Sequence, residues 1–198
     1  MNFEEVEDET PIDISHLVNR SQFNNRAEIN LAESENIAKA YLKYLSAKPT
    51  PKTAPFDFQW LLKLHREMFC EVWTFAGKTR QTDLNIGTGW FNINTELQSL
   101  VDDIRFWVSN QSFSTAEIAM RIHHKAVKIH PFLNGNGRWS RMLSNIFLKQ
   151  NAEPITEWPE SIIGTQSEIR DAYIKAIKLA DKGKYDPLFA LQSRYTNS

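Results

Sequence analysis

The chain holds one cysteine in 198 residues, almost no net charge, and no apolar run near the roughly 20 residues that cross a bilayer. A single thiol excludes an intramolecular disulfide. Cys70 lies among Met68, Phe69, Val72 and Trp73, which fits a reducing compartment, and the cytoplasm is the expected location. Lys and Arg number 23 against 24 Asp and Glu, a formal charge of -1, so there is no global basic field for unspecific nucleic-acid binding. No direct nucleic-acid partner is expected, and any anion site must be local. Residues Met1 to Asp8 are acidic instead of forming a basic stretch before an apolar one, so the chain is read as soluble, unprocessed and without a membrane partner. Internal repeats and low-complexity tracts are also missing. What remains, 41% hydrophobic and 24% charged residues, is the balance of one globular domain with a substantial core.

The first residues are polar and acidic with Pro11 among them, and residues 1–25 are read as an arm laid over a domain of residues 26–195. From Arg26 the pattern is helical, with Ile37, Tyr41, Tyr44 and Leu45 at three- and four-residue steps until the linker Pro49 to Pro55. A second helix is expected from about Asp57 on Phe58, Leu61, Leu62, Leu64, His65, Met68 and Phe69. Between Arg80 and Phe91, glycines, asparagines and β-prone Ile86, Thr88 and Trp90 favour a short hairpin or irregular flap. Further helices follow on Leu97, Leu100, Val101, Ile104, Trp107 and Val108, then from Ser114 with Glu117 in a capping-box arrangement. Another carries Trp139, Met142, Leu143, Ile146 and Phe147. Two more are read over Ile169 to Ala180 and from an Asp186-Pro187 start through Leu191. The expected fold is all-α, about seven or more helices with one short β-hairpin flap.

The stretch from His130 to Arg141, HPFLNGNGRWSR, joins a proton acceptor, a tight polar loop and two guanidiniums at a helix start. Gly135 and Gly137 lack Cβ atoms, so the backbone can turn its N–H groups toward a ligand where the next helix presents its own unpaired amides and positive dipole end. Arg138 and Arg141, three apart, can fork onto phosphate oxygens. A neutral imidazole at His130 can take a proton from an attacking hydroxyl, and Pro131 ends its helix. Phe132 is read as an apolar plug that leaves His130 and Asn136 facing a cleft. The combination points to phosphoryl-type transfer carried by positioning and by cationic stabilisation.

At these residues the sequence resembles the Fic (Fido) domain family, whose signature reads H-P-F-x-[D/E]-G-N-G-R-x-x-R. Upstream, Val72-Trp73, Phe75-Ala76-Gly77-Lys78, Arg80 and Asn85-Ile86-Gly87 resemble the helix end and flap of Fic proteins, and the likeness spans roughly residues 26 to 190. The Asn-Gly-Asn-Gly variant, with Glu33 to Ile37, looks similar to the branch called mobile mystery protein B. The resemblance implies an all-helical protein adenylyltransferase that takes ATP with Mg2+ and attaches AMP to a Ser, Thr or Tyr hydroxyl of a target protein. By matching position, His130 is the base; Asn134, Gly135, Asn136 and Gly137 hold the α-phosphate region, and Arg138 and Arg141 the remaining phosphates. Arg80, Asn85, Ile86, Gly87 and Phe91 belong to the flap that would pair with an extended target segment. Self-modification or a homodimer is also implied.

The chain departs from the pattern at Asn134, where an acidic magnesium ligand is usual; an amide oxygen coordinates without charge, so metal affinity should fall. Fic proteins often carry an inhibitory helix with Ser/Thr-x-x-x-Glu-Gly/Asn, and Glu35-Asn36 matches its end although Leu31 replaces the Ser/Thr. The alternative is a solvated Glu35 paired with Lys39. His123 and His124 are read as packing or surface residues, since no zinc pattern surrounds them. Trp60, Trp73, Trp107 and Trp139 are read as core, with Trp90 the exception on the flap. Competing functions are another donor (UMP, GMP or phosphate), hydrolytic removal of AMP with Glu35 orienting water, a catalytically silent nucleotide-binding module, and, more distantly, a nuclease that lacks its acidic ligands.

Overall fold

The computed structural model describes residues 13–159, 163 and 167–196. The outer part of the expected arm, residues 1–12, lies outside them. Among the described residues there are seven α-helices: α1 (Arg26–Leu45), α2 (Phe58–Phe69), α3 (Ile93–Ser109), α4 (Thr115–Ile129), α5 (Asn136–Gln150), α6 (Glu168–Ala180) and α7 (Asp186–Arg194). Their starts follow from local chemistry. Asn25 accepts from the Glu28 amide while the Glu28 carboxylate reaches back to the Asn24 amide, a reciprocal cap of α1. Asp57, Ser114 and Ser167 cap α2, α4 and α6 through single side-chain bonds to the third residue on. Pro187 sits in the first turn of α7, whose N-cap is Tyr185, one residue before the expected Asp186.

Helices α4 and α5 form the central hairpin and share the largest helix contact. Helix α1 packs on α2 and α5, and α3 on α4. Their apolar faces merge into one core around Leu61, Leu64, Ile122, Trp139 and Leu143. Two smaller clusters join α6 and α7 to the outer side of α4 through Met120, Ala176 and Leu188, and through Trp158 and Tyr173. The arm is partly core: Leu17 and Phe23 are buried, and the Val18 amide donates to Val72 O while Thr74 donates to His16 O.

Three expectations need correction. Residues 80–89 form turns and bends ending in a short 3-10 turn at Trp90–Asn92, not a hairpin; the described residues contain only two isolated bridges, Leu17 with Trp73 and Thr156 with Thr196. The reason lies in Arg80, whose side chain takes carbonyls that a ladder would need. Tyr41 is exposed, and the buried stripe of α1 runs instead through Ile29, Glu33, Asn36, Ala40 and Tyr44. Val108 is exposed in the last turn of α3, where Trp107 instead meets Lys125 of α4 and Phe113.

Candidate active site

The α4–α5 connection is a loop of six residues tied down at every step. His130 is the C-cap of α4 in the left-handed region, φ 51° and ψ 58°. A non-glycine residue there costs about 1–2 kcal/mol, so other contacts must hold it. Two of them are visible. The Asn136 side chain accepts from the Phe132 amide (2.9 Å) and donates to the Phe132 carbonyl (2.8 Å), closing the loop on itself. Arg80 donates from Nε to the His130 carbonyl at 2.8 Å, and its own amide donates to Pro131 O at 2.9 Å.

Phe132 is fully buried, as expected of a plug, stacked on His65 at 3.6 Å and edge-on to Trp139 at 5.0 Å. His65 was not anticipated as a site residue. Its Nδ1 accepts the Gly77 amide at 3.0 Å, which places the ring proton on Nε2, and Nε2 donates to the Asn134 carbonyl at 3.0 Å. Burial, helped by Arg138, pushes its pKa down to about 3, against the Asn134 bond, so the ring is a neutral pin under the loop. Gly135 follows at φ 81°, with Phe69 so close that a Cβ would lie 2.6 Å from its ring. Only glycine fits.

Helix α5 therefore starts without a side-chain cap. Its first amides, Asn136 to Arg138, point toward the mouth of the loop together with the positive end of the helix dipole. The Asn136 side chain is a loop clamp rather than a phosphate contact, so the expectation for it narrows to its backbone N–H. Arg141 is buried with its guanidinium folded back toward Gly137, where an added Cβ would meet Nη1 at 3.3 Å, and within 5.7 Å of the Tyr173 ring. Arg138 is bound by Glu33 at 2.7 Å and lies 5.0 Å from the Phe69 ring. Both guanidiniums thus stand on the first two turns of α5, and one carboxylate already holds Arg138.

That carboxylate corrects the expectation at Glu35. Glu35 is exposed, and its suggested partner Lys39 binds Glu71 instead. Two residues earlier, Glu33 is 3% exposed and accepts from the Trp73 indole N–H at 2.5 Å besides Arg138. The 3.6-residue period explains the displacement: Ile29, Glu33, Asn36 and Ala40 share the face of α1 that meets α2 and α5, and position 35 does not. Asn36 is buried, linking Glu67 O and the Glu71 amide. A carboxylate at position 33, one turn after Ile29 and on the same face as Asn36 and Ala40, was the signal available in the sequence.

His130, at the start of the loop that leads into α5, is largely buried, 9% exposed. Burial first and the Arg80 guanidinium second hold its pKa down to about 4, against a hydrogen bond with the Val127 backbone, so the imidazole is a neutral base at neutral pH. On its other side lies the flap. Arg80 is fully buried, which corrects its assignment to target contact: it binds the His130, Thr82 and Thr88 carbonyls. Asn85, Ile86, Gly87 and Phe91 are exposed, as a docking flap requires, and Trp90 is 41% exposed beside them.

No group of three or more His, Cys, Asp or Glu is placed to hold a metal ion among the described residues. Asn134 is the one loop oxygen donor, and its Oδ1 already accepts the Gly135 amide at 2.6 Å. A resident Mg2+ does not fit this donor set. His123 and His124 are buried packing residues bound to Tyr173 and Asp181, and the Arg141 guanidinium acts on the His123 ring. Trp60, Trp73 and Trp139 are core, and Trp107 is partly buried against it. No described helix is long and apolar enough to cross a membrane.

Residues 55–148 match the sequence model of the Fic/DOC family. The chain is 30% identical over 150 residues to the protein adenylyltransferase Fic of Drosophila grimshawi, 74% of this chain and 29% of that one. The curated relatives it matches are thus far longer, and the chain spans about 29% of their length. Among solved structures it superposes on Fic-1 of C. elegans with a TM-score of 0.68 at 22% identity, covering 82% of this chain and 47% of that one. It superposes on the BepC protein of Bartonella tribocorum, solved with AMPPNP bound, with a TM-score of 0.66 at 20% identity over 92% and 93% of the two chains.

Proposed function

Because this chain belongs to the Fic/DOC family through residues 55–148, we propose that it transfers AMP from ATP to a Ser, Thr or Tyr hydroxyl of a protein. The observation that carries the reading is the uncapped start of α5, with Arg138 and Arg141 on its first two turns, entered by a tightly tied loop that begins at a neutral His130. The relatives' name for their activity and the AMPPNP in BepC support it.

In the reaction, the amides of Asn136 and Gly137 and the α5 dipole hold the α-phosphate, and the two guanidiniums hold the β- and γ-phosphates. His130 takes the hydroxyl proton as the oxygen attacks the α-phosphorus. A P–O bond forms to the acceptor, the α–β anhydride breaks, and pyrophosphate leaves. Magnesium arrives as the counter-ion of the nucleotide, since the loop offers no charged ligand of its own. The exposed flap residues Asn85, Ile86, Gly87 and Phe91 contact the acceptor segment, and either a separate target or a second copy of this chain serves as acceptor.

The resting state is restrained. Glu33 sits on Arg138, so phosphate must displace a carboxylate that is also held by Trp73. The test is incubation with ATP labelled at the α- or the γ-position, with Mg2+, using wild type, Glu33→Gln and Glu33→Gln with His130→Ala. Protein labelling from the α-position alone, increased in Glu33→Gln and absent without His130, is expected. Incorporation of γ-label means phosphate transfer and overturns the reading, and a parallel panel of UTP and GTP fixes the donor.

A further inference from the structure

Among the described residues Arg80 is paired with no buried carboxylate: Asp83 is on the exposed side and 3.8 Å away. A buried guanidinium without a buried counter-ion is expensive to maintain, and it persists only where its N–H groups are all directed at acceptors. Here they are directed at two places at once. Nε donates to the carbonyl of His130, while Nη1 and Nη2 donate to the carbonyls of Thr82 and Thr88 at the two ends of the flap. Parallel backbone bonds, Arg80 N to Pro131 O and Thr88 N to Ile129 O, bracket the same junction. The fit is close: a Cβ on Gly87, itself at φ 95°, would stand 2.5 Å from His130 Cβ and 3.0 Å from Arg80 Nη2.

We propose that Arg80 is a positioning residue that fixes the flap and the backbone of His130 in one rigid unit, so that an acceptor docked on the flap is delivered at a set distance from the base. The proposal rests on the AMP-transfer reading for its purpose but not for its geometry. One planar fork reaches three carbonyls, which a lysine ammonium cannot do from a single point. The cation also faces the His130 ring from the flap side, and it is the charged group that acts on that ring beyond burial itself. Charge and fork are therefore separable: Arg80→Lys keeps the first and loses the second, and Arg80→Met loses both.

The test uses the full chain and two readouts that do not require activity: amide hydrogen exchange by mass spectrometry and NMR titration of the His130 imidazole. In both variants, exchange over residues 80–90 should rise tenfold or more while α4 and α5 keep their protection. The imidazole pKa should stay at about 4 in Arg80→Lys and rise only in part in Arg80→Met, because burial, the larger cause of its lowering, remains. Where AMP transfer is measured as well, Arg80→Lys should raise KM for acceptor and lower kcat with KM for ATP unchanged. Unchanged flap exchange in Arg80→Lys overturns the proposal, and so does an equal loss of protection throughout the chain, which would make Arg80 an ordinary core residue. Absence of transfer in the wild type, with the exchange and titration results as expected, counts against the AMP-transfer reading alone.

Discussion

Replacing Glu33 by Gln should tighten nucleotide binding, and the structure sets the size of the effect. The Glu33 carboxylate is almost fully buried and donates nothing; it accepts one bond from Arg138 at 2.7 Å and one from Trp73 at 2.5 Å. A hydrogen bond to a charged partner contributes about 1.5–3 kcal/mol. The Arg138 side chain is 29% exposed, so the lower part of that range applies, about 1.5–2 kcal/mol. A glutamine keeps an oxygen for the indole N–H but removes the charge that competes with phosphate, so affinity should rise roughly 10- to 30-fold. The assay is isothermal titration with an ATP analogue carrying a methylene between the α- and β-phosphorus, which cannot be turned over. The melting temperature should change little in Glu33→Gln, whereas Glu33→Ala, which strands a buried Trp73 N–H, should lose about 1–3 kcal/mol. A dissociation constant unchanged within about twofold in Glu33→Gln would refute the idea that this carboxylate stands in the way of phosphate.

Other outcomes follow from the same contacts. Gly135→Ala should abolish nucleotide binding and cost several kcal/mol, since the new methyl meets the Phe69 ring at 2.6 Å in a backbone conformation alanine resists; thermal melting and titration check it. Asn136→Ala should destabilise the protein by about 2–4 kcal/mol through two lost loop bonds and reduce transfer even at saturating ATP, as read by denaturant unfolding and by label incorporation. The acidic limb of kcat/KM, which reports the nucleotide-free protein, should lie near pH 4, not 6.5, because burial and Arg80 hold the His130 imidazole down to about 4. Stability should fall in acid for the same physical reason. The four rings at 65, 123, 124 and 130 all have lowered pKa values, so below the ordinary 6.5 the unfolded chain binds protons that the folded chain refuses. Stability is complete above about pH 6.5 and is lost as pH falls, by up to about 1.4 kcal/mol per pH unit for each ring until its folded pKa is reached, which denaturant midpoints between pH 7 and 5 would record.

The sequence made the helices legible wherever an apolar stripe and a capping residue coincided, as at Asp57 and Ser114. The loop of the candidate site was legible because its residues are contiguous: His130, Gly135 and Arg138 lie within nine positions of one another. What stayed hidden depends on pairing between distant segments. Composition at residues 80–91 suggested strands, but a guanidinium that claims two flap carbonyls leaves no ladder to form. The motif-like Glu35 pointed to the right helix and the wrong face, because the partners that select Glu33 lie 40 and 105 residues away at Trp73 and Arg138. His65 read as one more member of an apolar stripe. Its two bonded nitrogens, to Gly77 and Asn134, appear only when α2 passes beneath the loop.

The central claim is that the start of α5 gathers a triphosphate beside His130. A crystal structure of Glu33→Gln with the uncleavable ATP analogue tests it most directly. The α-phosphate should accept from the amides of Asn136 and Gly137, within reach of the His130 imidazole, with Arg138 and Arg141 on the outer phosphates. Phosphates bound away from that helix start, or Arg138 still paired with residue 33 while the nucleotide is in place, would contradict the account.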